Sequence, residues 1–117
     1  MTEIAIDELA TRLGDVAILD VRSAHEYAGS AGAPCDPRQG HIPGARHLDV
    51  SRLMELDAGE IRAELGLELG SEVVAYCHSG SRSATATQIL RAVGYDARNY
   101  AGSWHEWSRH EHLPIEP

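Results

Sequence analysis

Apolar residues recur along this chain at two spacings, and each spacing predicts one kind of element. Ile6, Leu9, Ala10 and Leu13 stand at i, i+3, i+4 and i+7, one face of a short helix, with Asp7 placed to cap its start and Gly14 to end it. Val16 to Leu19 is a continuous apolar run closing in Asp20-Val21-Arg22, the pattern of a strand buried on both faces. Ser23 to Tyr27 turns into a short helix. Gly29 to Gly40 holds three Gly and two Pro with no periodicity, so it forms a long loop, either functional or mobile. Ala45 to Leu48 reads as a short strand, Ile61 to Leu65 before Gly66 as one or two helical turns, and Ala97 to Tyr100 as the last strand. The tail begins at Ser103 with a helical turn carrying Trp104 and Trp107, and its pattern is lost at Pro114.

The strongest unit lies between these. Val73 to Tyr76 is an apolar, partly β-branched run that reads as a buried strand, and from Ser83 the spacing changes to Ala86, Ile89, Leu90 and Val93, a helix face ended by Gly94. Only Cys77 to Arg82 joins strand to helix. Small residues there let successive backbone N–H groups turn inward at a helix N-terminus, a cradle for an anion. Strands alternating with helices predict a mainly parallel sheet with helices on both faces, an α/β architecture. Ligands of such sheets sit beyond the carboxyl ends of the strands, which puts Asp20, Arg22, Asp49, Cys77 and Tyr100 to Gly102 on one rim.

A thiol in that cradle ionises readily, since comparable sites lower a cysteine pKa from about 8.5 to roughly 3.5–7.5. Cys77 is thus the candidate nucleophile, set against the alternative of a buried structural cysteine. Arg82 either binds an anionic donor or folds back to tie the loop to a carboxylate such as Asp20.

Composition narrows the field. A chain of 117 residues suits one domain spanning 1–117. No apolar run is long enough to cross a membrane. The formal net charge of −8 argues against nucleic acid and anionic membranes as partners. The start, Met1-Thr2-Glu3-Ile4, is acidic and has no secretory pattern, and a thiol nucleophile suits a reducing compartment, so the expected location is the cytoplasm. His105, His110 and His112 near the end lack metal-ligand spacing, so no metal site is expected, and Cys35 reads as a plain loop thiol.

Tyr76-Cys77-His78-Ser79-Gly80-Ser81-Arg82-Ser83 resembles the active-site loop of rhodanese-type sulfurtransferases. Leu19-Asp20-Val21-Arg22 and Gly40-His41-Ile42-Pro43-Gly44-Ala45 are similar to two upstream signatures of that family. Tyr100 to Trp107 with Leu113-Pro114-Ile115-Glu116 resembles the end of the catalytic C-terminal half of its two-domain thiosulfate or mercaptopyruvate members. The resemblance implies a rhodanese-like fold. It also implies sulfane sulfur transfer from a small anionic donor to cyanide, a thiol or a protein acceptor, with Cys77 as nucleophile and persulfide carrier.

In that picture the N–H groups from His78 through Ser79, Gly80, Ser81 and Arg82 to Ser83 bind the donor, with added hydroxyls from Ser79 and Ser81. No metal or organic cofactor is required. Asp20 and Arg22 support the site. His78 occupies a position where some relatives carry a basic residue, or else is a solvated loop residue; His41 belongs to an architectural turn. Two other functions share the fold: a persulfide carrier that docks to a partner enzyme, and a phosphatase or arsenate reductase. The latter class carries a longer Cys-x5-Arg loop, whereas four residues separate Cys77 from Arg82 here.

Overall fold

The computed structural model describes residues 2–117. Strands β1 (Ala17–Asp20), β2 (Arg46–His47), β3 (Glu72–Tyr76) and β4 (Asp96–Asn99) form one sheet in the order β2-β1-β3-β4, and every pairing is parallel. Parallel neighbours need crossover connections. These are supplied by α2 (Ala24–Tyr27), α3 (Val50–Glu55), α4 (Ala58–Leu65) and α5 (Ser81–Val93), while α1 (Ile6–Thr11) precedes the first strand and α6 (Ser103–Trp107) follows the last. The α/β fold with a parallel sheet read from the hydrophobic pattern is the one observed.

The pleat sorts the side chains of the two central strands. Leu19, Val21, Val73, Ala75 and Cys77 face a core completed by α3, α4 and α5, through Leu53, Ile61, Ala86 and Leu90. Ile18, Val74 and Tyr76 face the opposite core, with Leu9 of α1 and Trp104 and Trp107 of α6. Both indole rings are fully buried, and burial of each contributes about 1.5–3 kcal/mol or more against leaving it in water. Because side chains alternate along a strand, Cys77 continues the Val73–Ala75 face and points beneath the start of α5.

Three local readings change. Asp7 lies inside the first turn of α1, where Ala5 is the cap residue and contributes no side-chain bond. The sequence pattern gave no sign of α3, which buries only Val50 and Leu53, too few apolar positions to display a period; Asp49, expected on the rim, caps it by accepting the Ser51 N–H at 2.9 Å. Helix α4 starts at Ala58 because Asp57 and Glu60 form a capping box, each side chain accepting the other's backbone N–H. No helix among the described residues is long and apolar enough to cross a membrane.

Candidate active site

The first residue past β3 is Cys77, and α5 begins four residues later at Ser81, so the connecting loop turns within Cys77 to Gly80. Gly80 makes this possible. Its φ is +102°, and a Cβ there would lie 2.7 Å from the Ala101 carbonyl oxygen, so both the turn and the close approach require glycine. Residues Ser81, Arg82 and Ser83 are the first turn of the helix, one turn earlier than the apolar periodicity begins.

Cys77 is buried, and its Sγ sits among hydrogen-bonding groups. The backbone N–H groups of Gly80 and Ser83 donate to it at 3.1 and 3.4 Å, and Ser83 Oγ stands 3.3 Å away. Burial alone would raise the thiol pKa. The Ser83 hydroxyl and the N–H groups of Ser83, Gly80 and Ser79 outweigh it and hold the thiol below the ordinary cysteine range. The Ser83 hydroxyl serves both protonation states. With a thiol present it can donate to the Gly80 carbonyl, 3.2 Å away, and accept from S–H; with a thiolate it turns to donate to sulfur.

The inward aim of the N–H groups has a cause on the far side of the loop. At the start of α6, the Trp104 N–H donates to the Cys77 carbonyl and the His105 N–H to the His78 carbonyl, both at 2.9 Å. Ser103 Oγ accepts the Cys77 N–H at 3.1 Å and lies 3.9 Å from Sγ. Ser103 holds a φ of +57°, uncommon for a residue with a side chain. The expected hydroxyls of Ser79 and Ser81 are exposed, and those found at the thiol belong to Ser83 and Ser103. Nothing in the hydrophobic pattern distinguishes Ser103, whose proximity arises only when α6 docks.

Arg82 does not meet Asp20. Its guanidinium makes two bonds to the Glu26 carboxylate of α2, at 2.9 and 3.2 Å. Burial would raise the Glu26 pKa, yet the bonds from Arg82 and from the Ser23 backbone bring it down to about 2. Asp20 is instead paired with Arg22, both fully buried, with Arg22 Nη2 at 2.7 Å from Oδ2. Arg22 also donates to the Gly40 carbonyl at 2.6 Å and lies over the Trp104 ring, 5.0 Å from its centroid. Tyr76 donates its hydroxyl to Asp20 at 2.7 Å and accepts the Ile42 N–H at 3.0 Å. This network pins the Gly40-His41-Ile42 turn to the ends of β1 and β3. His41 itself stacks on Tyr27 with ring centroids 3.8 Å apart, as an architectural residue should.

A rhodanese-like domain model matches residues 5–110 of the sequence. The chain belongs to the rhodanese-like domain family. A thiosulfate sulfurtransferase of Azotobacter vinelandii is 38% identical over 94% of this chain and 44% of its own length. A crystal structure of a probable thiosulfate sulfurtransferase is similar with a TM-score of 0.87 and 43% identity, covering 99% of this chain and 48% of that one. The human single-domain sulfurtransferase TSTD1 is similar with a TM-score of 0.73 and 32% identity, covering 94% of this chain and 97% of that one. The chain thus spans less than half the length of the curated relatives it matches first.

Within this rhodanese-like domain His78 is not simply solvated. It is half-buried, and its Nε2 lies 3.0 Å from Asp36 Oδ2. The long loop between α2 and β2 brings Asp36 there, and that loop is fixed: Arg38 donates to the carbonyls of Trp107, Ser108, His110 and Leu113 at 2.7–3.2 Å. Of the three late histidines, His105 comes beside His78, with ring centroids 5.5 Å apart, while His110 and His112 meet each other elsewhere. Donor atoms of Cys35, Asp36, His78 and His105 all lie within 4.8 Å of one another, a grouping that the spacing of these residues along the chain does not display.

Proposed function

We propose that this domain moves sulfane sulfur from a small anionic donor to a thiophilic acceptor through a persulfide on Cys77. The observation that carries the reading is the ring of donors around Sγ, from Gly80 N–H, Ser83 N–H and Ser83 Oγ, at the carboxyl end of β3. The names of the relatives, thiosulfate sulfurtransferases and a single-domain sulfurtransferase, support the same chemistry.

The Cys77 thiolate attacks the outer sulfur of thiosulfate. A new S–S bond forms, the old one breaks, and sulfite leaves with the bonding pair. The terminal persulfide sulfur takes up negative charge, and the cradle N–H groups stabilise it as they stabilised the thiolate. Cyanide, a thiol or a protein thiolate then attacks that sulfur and releases the Cys77 thiolate, so the cycle balances without a cofactor. His78, Ser79, Ser81 and Arg82 line the entrance with Gly80 and Ser83. Arg82 acts through Glu26 by fixing the first turn of α5, and Asp20 and Arg22 fix the neighbouring turn.

A phosphatase reading fits less well. Phosphoryl recognition calls for a cation aimed into a wider ring, and here Arg82 is turned to Glu26 beside a six-residue turn.

The test supplies thiosulfate and mercaptopyruvate in turn, with cyanide as acceptor, and maps the sulfur by mass spectrometry. One sulfur atom on Cys77 and thiocyanate release are expected, with both lost in Cys77→Ser. Loading of Cys77 without release to cyanide would make the domain a persulfide carrier for a partner enzyme. Faster turnover of an aryl phosphate than of either sulfur donor would overturn the proposal.

A further inference from the structure

Beside the catalytic loop stands a group of side chains of which one, His78, borders the entrance to the sulfur-transfer site and the other three lie outside it. Cys35 and Asp36 come from the long loop, His78 from the residue after the nucleophile, and His105 from α6, each offering one donor atom within 4.8 Å of the others. Four-coordinate zinc, with bonds of about 2.0–2.3 Å, holds its donors roughly 3.3–3.8 Å apart, so the group needs to close by about 1 Å at its widest. Two spacings come near it: His78 Nε2 to Asp36 Oδ2 is 3.0 Å and His105 Nδ1 to Asp36 Oδ1 is 3.8 Å.

Two of these atoms lack partners. The Asp36 side chain is 1% exposed, and although its Oδ2 lies 3.0 Å from His78 Nε2, both atoms are left without a hydrogen bond. Burying such groups unpaired is costly, and a shared cation would satisfy both. Arg109 supplies the outer support. It donates to Asp36 Oδ1 at 2.9 Å and to the Cys35 carbonyl at 2.8 Å, leaving Oδ2 directed at His78. Cys35 and His105 are exposed, which leaves a path from solvent.

We propose that Cys35, Asp36, His78 and His105 bind a divalent cation of the zinc class. One thiolate, one carboxylate and two imidazoles form a mixed sulfur, oxygen and nitrogen donor set that suits zinc or cobalt and does not suit magnesium or calcium. On binding, the Cys35 S–H bond breaks, its proton goes to solvent and a sulfur–metal bond forms. The ion ties the long loop and α6 to the residue after Cys77.

Cobalt(II) is the probe, added to the full chain freed of metal with a chelator and dialysed. The expected result is one equivalent bound with a near-ultraviolet thiolate-to-cobalt band, displaced by zinc. The band persists in Cys77→Ser and disappears in Cys35→Ser. His105→Ala weakens cobalt binding by at least about 10-fold, the lower bound seen when even an outer-shell partner is removed, while His110→Ala leaves it unchanged. Circular dichroism checks that each variant is folded, and His105→Ala decides the matter if Cys35→Ser is not. A band that follows Cys77 instead of Cys35, or cobalt affinity unchanged in His105→Ala, would overturn the site. Sulfur transfer by metal-free protein is a separate measurement, so failure here leaves the proposed activity standing.

Discussion

Arg82 and Glu26 face each other through two hydrogen bonds of 2.9 and 3.2 Å, joining the first turn of α5 to α2. The same carboxylate accepts the Ser23 N–H at 3.1 Å, so one residue caps a helix and anchors the catalytic loop. An arginine so engaged has its charge largely answered. Attraction of an anionic donor then falls mainly to the backbone N–H groups.

The pair predicts a double-mutant result. Arg82→Gln and Glu26→Gln should each lower sulfur transfer, and the double variant should be little worse than either, because both remove one interaction. Additive losses would assign Arg82 a separate role on the donor. With Arg82→Gln the Glu26 carboxyl should titrate well above its present value of about 2, as carbon-detected NMR would read. A folded pKa below the ordinary 4.5 means that this carboxylate contributes stability in full above about pH 4.5 and loses it as pH falls toward 2.

Cys77 should be alkylated with a pH midpoint below the free-cysteine value of about 8.5, measured with chelator present. Ser83→Ala removes the hydroxyl but keeps the N–H, so its midpoint should rise. Cys35→Ser should not move it. An unchanged midpoint in Ser83→Ala would show that the hydroxyl does not point to sulfur.

Gly80→Ala should destabilise the protein by about 1–3 kcal/mol, because its backbone conformation is unsuited to a side chain and the new Cβ meets Ala101. Urea unfolding measures this. A glycine inserted between Gly80 and Ser81 should lower sulfur transfer by about 100-fold or more, the loss expected from displacing reacting groups by about 1 Å, while improving binding of phosphate or arsenate.

Arg22→Met leaves the Asp20 carboxylate buried without its cation, and should cost about 3–5 kcal/mol. Asp20→Asn with Arg22→Met should recover part of that loss, since no uncompensated charge stays buried. The midpoint of denaturant unfolding for the two variants checks it.

Much of the fold was legible in the chain because it depends on local periodicity. The runs at Val16–Leu19 and Val73–Tyr76, and the helical spacing from Ala86 to Val93, each encode an element within a few residues of its observed limits. Cys77 could be placed at a strand end and beneath a helix start for the same reason. Helix α3 could not be read, because two buried residues in six do not make a pattern.

Partnership between distant residues was beyond the sequence. Arg82 could choose between carboxylates, and the choice of Glu26 over Asp20 was made by the docking of α2 and by Arg22, which already occupied Asp20. Ser103 reached Cys77 only because α6 packs its indoles against the sheet and sets its N–H groups on the carbonyls of the loop. Cys35, Asp36, His78 and His105 are scattered over seventy positions with no ligand spacing, and the anchored loop gathers them. A hydrophobic period is a property of neighbours along the chain, so the sequence displays it; a hydrogen bond between elements depends on where each one comes to rest, and packing alone decides that.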